Sequence, residues 1–128
     1  MATRILIVDD DPDLVAALKV AIETVGYEVD SAGNSAEALQ TAGAAKPDLA
    51  ILDVMMDTGS EGVHLAHRFR TDEGLKEVPI IMLTAVNQTI PFQIGKEMGE
   101  GYLPVDCFME KPVDPLELIA VIRRLLQA

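Results

Sequence analysis

Several residue types are scarce in this chain, and each scarcity argues against a class of protein. The single cysteine, Cys107, cannot form an internal disulfide, which favours a reducing, cytoplasmic setting. Basic residues number ten against twenty-one acidic ones, and the net charge of -11 disfavours nucleic acid or an anionic membrane as a direct partner. No apolar run approaches the ~20 residues of a membrane span, and no signal peptide is visible, so we expect no membrane insertion.

Apolar residues, by contrast, are plentiful enough for one hydrophobic core. The chain has 128 residues, of which 49% are hydrophobic and 24% charged. Such a chain is typical of one globular domain that folds without disulfides or a structural metal. We therefore expect a single domain over residues 1–128.

Five short segments have the patterns of β-strands. Four are apolar runs, typical of strands that are covered on both faces in a parallel sheet. The other, Tyr27–Ser31, alternates apolar and polar residues and predicts an edge strand. The predicted strands are Ile5–Val8, Tyr27–Ser31, Asp48–Asp53, Ile80–Leu83 and Cys107–Met109.

Helical patterns lie between the strands. Capping residues precede three of the helices, with Asp11 before the first, Asn34 before the second and Asp114 before the last. Another helix begins at Gly62, whereas glycines and prolines in residues 85–106 predict a short or broken helix there. Strands that alternate with helices predict an α/β fold with right-handed crossovers and a parallel sheet.

Polar side chains stand where four of the strands end. Asp9 and Asp10 follow the first strand, Asp53 ends the third, Thr84 follows the fourth and Lys111 comes just after the fifth. Each residue alone would more often cap a helix or face solvent, but a parallel sheet brings all of them to one edge. Carboxylates for a divalent cation, a hydroxyl and an ammonium are the groups that phosphoryl transfer needs.

The chain resembles the receiver domain of two-component response regulators over essentially its whole length. The resemblance implies a flavodoxin-like (βα)5 fold with a doubly wound parallel sheet of five strands, in the order 2-1-3-4-5. The matching motifs are Ile5-Leu6-Ile7-Val8-Asp9-Asp10-Asp11, Leu49-Ala50-Ile51-Leu52-Asp53, Ile80-Ile81-Met82-Leu83-Thr84-Ala85 and Phe108-Met109-Glu110-Lys111-Pro112.

The resemblance also implies a role for each residue of the acidic site. Asp53 would accept a phosphoryl group from a phosphohistidine on a sensor histidine kinase or phosphotransfer protein. Asp10, Asp53 and the backbone carbonyl of Met55 would ligate Mg2+, and Asp9 would act mainly through water.

Further roles concern the response to phosphorylation. Lys111 would pair with Asp53 and then with a phosphoryl oxygen, in front of a cis peptide bond to Pro112. Thr84 would move to bond the phosphoryl group, and the rotamer of Phe108 would follow it.

The resemblance therefore predicts a signalling phosphoacceptor of the single-domain type. Such a protein catalyses its own Mg2+-dependent phosphorylation and slow dephosphorylation, and it signals by contact with a downstream target protein. Because the sequence stops after its last helix, we expect no attached DNA-binding or enzymatic domain.

Three features depart from the family pattern. Asp57 stands where proline is usual, and the loop that contains it is about one residue longer. Met55 and Val86 are apolar where relatives often place a polar side chain near the attacking water, which predicts slow self-dephosphorylation. The spacing from Thr84 to Lys111 is longer than usual.

Two other functions remain open from the sequence. A haloacid-dehalogenase-like phosphohydrolase would use Asp9 as its nucleophile, since Asp9-Asp10-Asp11 satisfies that family's Asp-x-Asp motif. A phosphorylation-independent binding module on the receiver fold would need none of the chemistry.

Overall fold

Five parallel strands form the centre of the molecule in the computed structural model, which describes residues 3–54, 61–85 and 105–127. The strands are β1 (Arg4–Val8), β2 (Glu28–Ala32), β3 (Leu49–Asp53), β4 (Ile80–Ala85) and β5 (Cys107–Lys111). They form one sheet in the order β2-β1-β3-β4-β5. The predicted α/β, flavodoxin-like fold and its strand order are therefore confirmed.

Helices cover both faces of this sheet. They are α1 (Pro12–Thr24), α2 (Ser35–Ala44), α3 (Glu61–Thr71) and α4 (Pro115–Gln127). None of the helices in the described ranges is both long and apolar enough to cross a membrane.

Alternating side chains of the strands supply two hydrophobic cores. One core packs against α2 and α3, and it includes Phe69, which is completely buried. The other core packs against α1 and α4. Because β3 lies between β1 and β4 and has a helix layer on each face, all of its residues are buried. The carboxylate of Asp53 is thus supplied by a strand that is buried at every position.

Local capping explains where the helices begin. The Asp11 side chain accepts hydrogen bonds from the backbone N–H groups of Asp13 and Leu14, as the sequence predicts for an N-cap. The Asn34 side chain accepts from the N–H of Glu37, and the Glu37 side chain accepts from the N–H of Gly33. Both hydrogen bonds stabilise the N-terminus of α2.

Element boundaries differ from the sequence predictions by one or two residues. β2 begins and ends one residue later than predicted, and β5 extends two residues further, to Lys111. The extension follows from pairing with β4, where Ala85 lies opposite Lys111. The short or broken helix predicted within residues 85–106 lies almost entirely outside the described residues.

Candidate functional site

The polar residues predicted at the strand ends lie together at the carboxyl edge of the sheet. β1 pairs with β3 so that Val8 lies opposite Leu52, and the next positions along these strands are Asp9 and Asp53. Asp53 in turn lies opposite Leu83 of β4. The parallel register thus brings residues from distant parts of the sequence to one edge.

Lys111 lies between two buried carboxylates. Its Nζ is 3.0 Å from Oδ2 of Asp9 and 3.4 Å from Oδ1 of Asp53. The lysine side chain is 25% exposed, whereas those of Asp9 and Asp53 are 1% and 6% exposed. Lys111 is therefore the more exposed member of both ion pairs.

The environment of Lys111 raises the pKa of its ammonium above the ordinary value. Burial alone would lower that pKa, but the close contact with Asp9 and the charges of Asp53 and Asp9 outweigh it. The lysine consequently remains a cation at any physiological pH.

Asp9, Asp10 and Asp53 form a carboxylate cluster. One carboxylate oxygen from each residue lies within 4.8 Å of the other two, and Asp10 is the exposed member. Oδ1 of Asp9 accepts a hydrogen bond from the N–H of Asp11 at 2.9 Å. Oδ2 of Asp9 is buried and accepts no aligned hydrogen bond within the described residues, so its contact with Lys111 is an ion pair without hydrogen-bond alignment.

This cluster suits a hard divalent cation. Three carboxylates face a single ammonium, so a net negative charge remains at the edge, and one buried oxygen of Asp9 still has acceptor capacity. Oxygen ligands of this kind are those that Mg2+ prefers. A cation at this position would offset the repulsion among the carboxylates.

Thr84 and Phe108 lie on neighbouring strands. Thr84 is 8% exposed and lies opposite Glu110, while Phe108 lies opposite Met82 and is 42% exposed. Alternation along β4 and β5 puts Thr84 and Phe108 on the same face of the sheet. The two predicted switch residues are thus diagonal neighbours, one at the site and one near the surface.

Several sequence predictions concern residues outside the described ranges. The residues in question are Met55, with its predicted metal-ligating carbonyl, Asp57 and Val86. The peptide bond between Lys111 and Pro112 is described, and it is cis.

Gly62 is a residue of the site that sequence reasoning treated only as the start of a helix. Its N–H donates to the carbonyl oxygen of Val54 at 3.0 Å. A methyl group added to Gly62 would overlap the carbonyl oxygen of Asp53 and come within 2.7 Å of its carbonyl carbon. The sequence did contain one indication of this contact: glycine is a poor helix former, so a glycine in the first turn of a helix indicates a packing requirement.

Comparison with known proteins identifies the family. A sequence model of the response regulator receiver domain matches residues 5–123. The DNA-binding response regulator MtrA of Mycolicibacterium smegmatis is 36% identical over 127 residues, which cover 99% of this chain and 52% of MtrA. The chain spans about half the length of the curated relatives it matches. This chain therefore belongs to the response regulator receiver domain family.

Solved structures share the fold. The chemotaxis response regulator CheY4 of Vibrio cholerae superposes with a TM-score of 0.82 at 29% identity, covering 98% of this chain and 99% of CheY4. The receiver domain of the sensor histidine kinase PA1611 of Pseudomonas aeruginosa has a TM-score of 0.82 at 22% identity, with full coverage of both chains. That structure is described with a magnesium ion coordinated in its active site cleft.

Family membership settles the class of function. The chain is a receiver domain of two-component signalling, and the haloacid-dehalogenase-like alternative is not favoured. Receiver domains bind Mg2+ at an acidic pocket, and they interact with histidine kinases and downstream effectors. In this chain Asp9, Asp10 and Asp53 form a cluster of carboxylates at the carboxyl edge of the sheet.

Proposed function

We propose that Asp53 accepts a phosphoryl group from a phosphohistidine on a sensor histidine kinase or phosphotransfer protein. The observation that carries this proposal is the placement of the Asp53 carboxylate. It is buried at the carboxyl end of β3, 3.4 Å from the Lys111 ammonium and within 4.8 Å of oxygens from Asp9 and Asp10. A carboxylate held among a cation and metal-ligating groups can serve as a nucleophile toward phosphorus.

The transfer exchanges one bond to phosphorus for another. A carboxylate oxygen of Asp53 attacks the phosphorus in line with the P–N bond to the histidine ring. That bond breaks, an acyl phosphate forms on Asp53, and the departing ring nitrogen takes up a proton. The chain catalyses this step by orienting the carboxylate and by neutralising charge, since phosphoryl transfer needs little other covalent help.

Lys111 has two successive roles in this proposal. Before transfer its ammonium offsets the negative charge of Asp53 and Asp9, at 3.4 and 3.0 Å. After transfer the same ammonium pairs with a phosphoryl oxygen, while the Thr84 hydroxyl donates a hydrogen bond to another.

The carboxylates of Asp9, Asp10 and Asp53, with the backbone carbonyl of Met55, would hold Mg2+. When bound, the ion supplies positive charge that neutralises the phosphoryl oxygens in the transition state. Asp9 contacts Lys111 directly at 3.0 Å, so this residue would tie the metal site to the lysine as well as acting through water.

The phosphorylated chain signals through contact with a downstream protein. Thr84 and Phe108 share a face of the sheet, which supports a route from the phosphoryl group to the surface beside β5. We place this activity in the cytoplasm, where Cys107 would stay reduced. The charge of -11 argues against DNA contact by these 128 residues themselves. No observation on the described residues favours the phosphorylation-independent binding module.

Incubation with Mg2+ and acetyl phosphate, followed by intact mass, tests the proposed acceptor. The wild-type chain should gain one acid-labile phosphoryl group, and removal of Mg2+ by a chelator should prevent the gain. Asp53→Asn should abolish the adduct, whereas Asp9→Asn should slow its formation without abolishing it. Loss of the adduct in Asp9→Asn with retention in Asp53→Asn would contradict the proposal and support the dehalogenase-like chemistry.

A further inference from the structure

Gly62 is the place where α3 comes closest to the phosphoacceptor strand. It is buried in the first turn of α3, and its backbone faces the peptide that joins Asp53 to Val54. A Cβ atom built on Gly62 would overlap the carbonyl oxygen of Asp53, lie 2.7 Å from the Asp53 carbonyl carbon and lie 2.8 Å from the carbonyl oxygen of Val54. All three neighbours are backbone atoms, so no side-chain rotation could make room.

A positive φ angle does not explain why position 62 is occupied by glycine. Among the described residues, only Gly26 has a positive φ. Gly62 lies within α3, where glycine is less favourable than alanine. Close approach to the Asp53 backbone is what requires the absence of a side chain.

Two backbone hydrogen bonds hold Val54, the residue that follows Asp53. On one side the N–H of Val54 donates to the carbonyl oxygen of Leu83 in β4 at 2.9 Å. On the other side the carbonyl oxygen of Val54 accepts from the N–H of Gly62 at 3.0 Å. The Asp53 side chain branches from this clamped stretch of backbone, so its carboxylate has little freedom to shift.

We infer that Gly62 is a positioning residue for phosphorylation, which fixes the Asp53 carboxylate against Lys111 and the carboxylate cluster. This inference rests on the proposed role of Asp53 as acceptor. A side chain at position 62 must either push the Asp53 backbone away or lift the start of α3 off Val54. The first movement displaces the carboxylate from its position 3.4 Å from the Lys111 ammonium, and the second removes the hydrogen bond that holds the neighbouring Val54. In-line transfer is sensitive to displacements of about 1 Å.

The test compares Gly62→Ala with Gly43→Ala. A Cβ at Gly43, in α2, would meet nothing within 4 Å, so that variant has the same chemical change without the overlap. Acetyl phosphate is the phosphodonor, at saturating Mg2+, and circular dichroism confirms folding of each variant. We expect Gly62→Ala to stay folded and to have a maximal phosphorylation rate about 10- to 100-fold below wild type. Gly43→Ala should keep the wild-type rate.

Two results would overturn the inference. One is a folded Gly62→Ala variant whose maximal rate lies within about twofold of wild type. The other is a Gly62→Ala variant that is unfolded at low temperature in Mg2+, because Gly62 would then serve the fold and not the position of Asp53. Peptide mapping separates this outcome from failure of the proposed function: if the wild type itself gains no adduct on Asp53, the acceptor assignment fails first.

Discussion

Lys111 determines the charge balance at the carboxyl edge of the sheet. It is the cation that contacts Asp9 and Asp53, and its ammonium is closer to Asp9, at 3.0 Å, than to Asp53, at 3.4 Å. A bound Mg2+ would therefore share its ligands with an existing positive charge. In the proposed function, lysine and metal ion would compete electrostatically at this site although both would assist the reaction.

Replacing Lys111 by methionine should separate the effect of the lysine charge on Mg2+ binding from its effect on phosphoryl transfer. Lys111→Met keeps the aliphatic part of the side chain and removes the charge, so Mg2+ should bind about 3- to 10-fold more tightly. Phosphorylation should nevertheless be slower, because no ammonium meets the phosphoryl oxygens. Titration calorimetry measures the Mg2+ affinity of each variant.

The matched control is Lys76→Met. Lys76 pairs with the exposed Glu73 and precedes β4, at the opposite end of the sheet from the carboxylates. Its replacement should leave Mg2+ affinity unchanged. Equal Mg2+ affinity in Lys111→Met and wild type would show that the charge of Lys111 does not affect metal binding.

Met55 provides a prediction about the lifetime of the phosphoryl group. An apolar side chain two residues beyond the acceptor cannot orient an attacking water, so we predict slow self-dephosphorylation. Met55→Asn should shorten the lifetime of the adduct several-fold, because a carboxamide can hydrogen-bond that water. The decay of phosphorylated protein after removal of the phosphodonor measures this lifetime. Met56→Asn is the control, and an unchanged lifetime in Met55→Asn would show the hypothesis to be wrong.

The sequence was sufficient to predict which residues come together at the site. Acids, a hydroxyl and a lysine at the ends of apolar runs must meet at one edge if the strands are parallel, as they are for Asp53 and Lys111. It did not predict the role of Gly62 or the direct contact of Lys111 with Asp9. Both depend on distances between elements, which residue type and spacing along the chain do not contain.

At the scale of elements, the burial of a strand determines how clearly its sequence pattern predicts it. β3 is buried at every position, and its uninterrupted apolar sequence reflects helix layers on both faces. β5 is different, because alternate residues are exposed and its last two positions are polar. The sequence pattern therefore ended β5 at Met109, whereas pairing with β4 carries it to Lys111.

Phe69 should be the largest single contributor of α3 to stability. Its side chain is completely buried in the core between α2, α3 and the sheet. Phe69→Ala should lower the free energy of unfolding by about 3–5 kcal/mol, through lost burial and the cavity left behind. Urea denaturation measures this change. Leu116→Ala, at a position 79% exposed, is the control and should change stability by no more than about 0.5 kcal/mol.

A cost below about 1 kcal/mol for Phe69→Ala would contradict the packing described for α3. That result would mean that α3 is not firmly docked on the sheet. It would also weaken the argument for Gly62, since close approach of the first turn of α3 to β3 requires the rest of the helix to be seated.

At the scale of the whole molecule, the sequence predicted the fold class from the alternation of strands and helices. The order of strands in the sheet came from the family resemblance, because alternation alone is compatible with several orders of parallel strands. Residues 86–104 lie outside the described structure, so the broken helix predicted there stays a prediction.

Three of the acidic residues of the molecule lie together at the carboxyl edge of the sheet. The net charge of -11 is spread over the chain, yet Asp9, Asp10 and Asp53 bring three carboxylates within 4.8 Å of one another. Such a cluster is stable only when compensated by cations. Lys111 supplies one positive charge, and the proposed Mg2+ would supply the rest.

Peptide mapping of the phosphorylated wild-type chain shows directly which aspartate carries the phosphoryl group. The protein is treated with acetyl phosphate in Mg2+, and the acyl phosphate is trapped by borohydride reduction before digestion and mass spectrometry. If Asp53 is the phosphoacceptor, modification occurs at Asp53, depends on Mg2+ and is absent after acid treatment. Modification at Asp9, or no modification at Asp53 with Mg2+ present, would contradict this assignment.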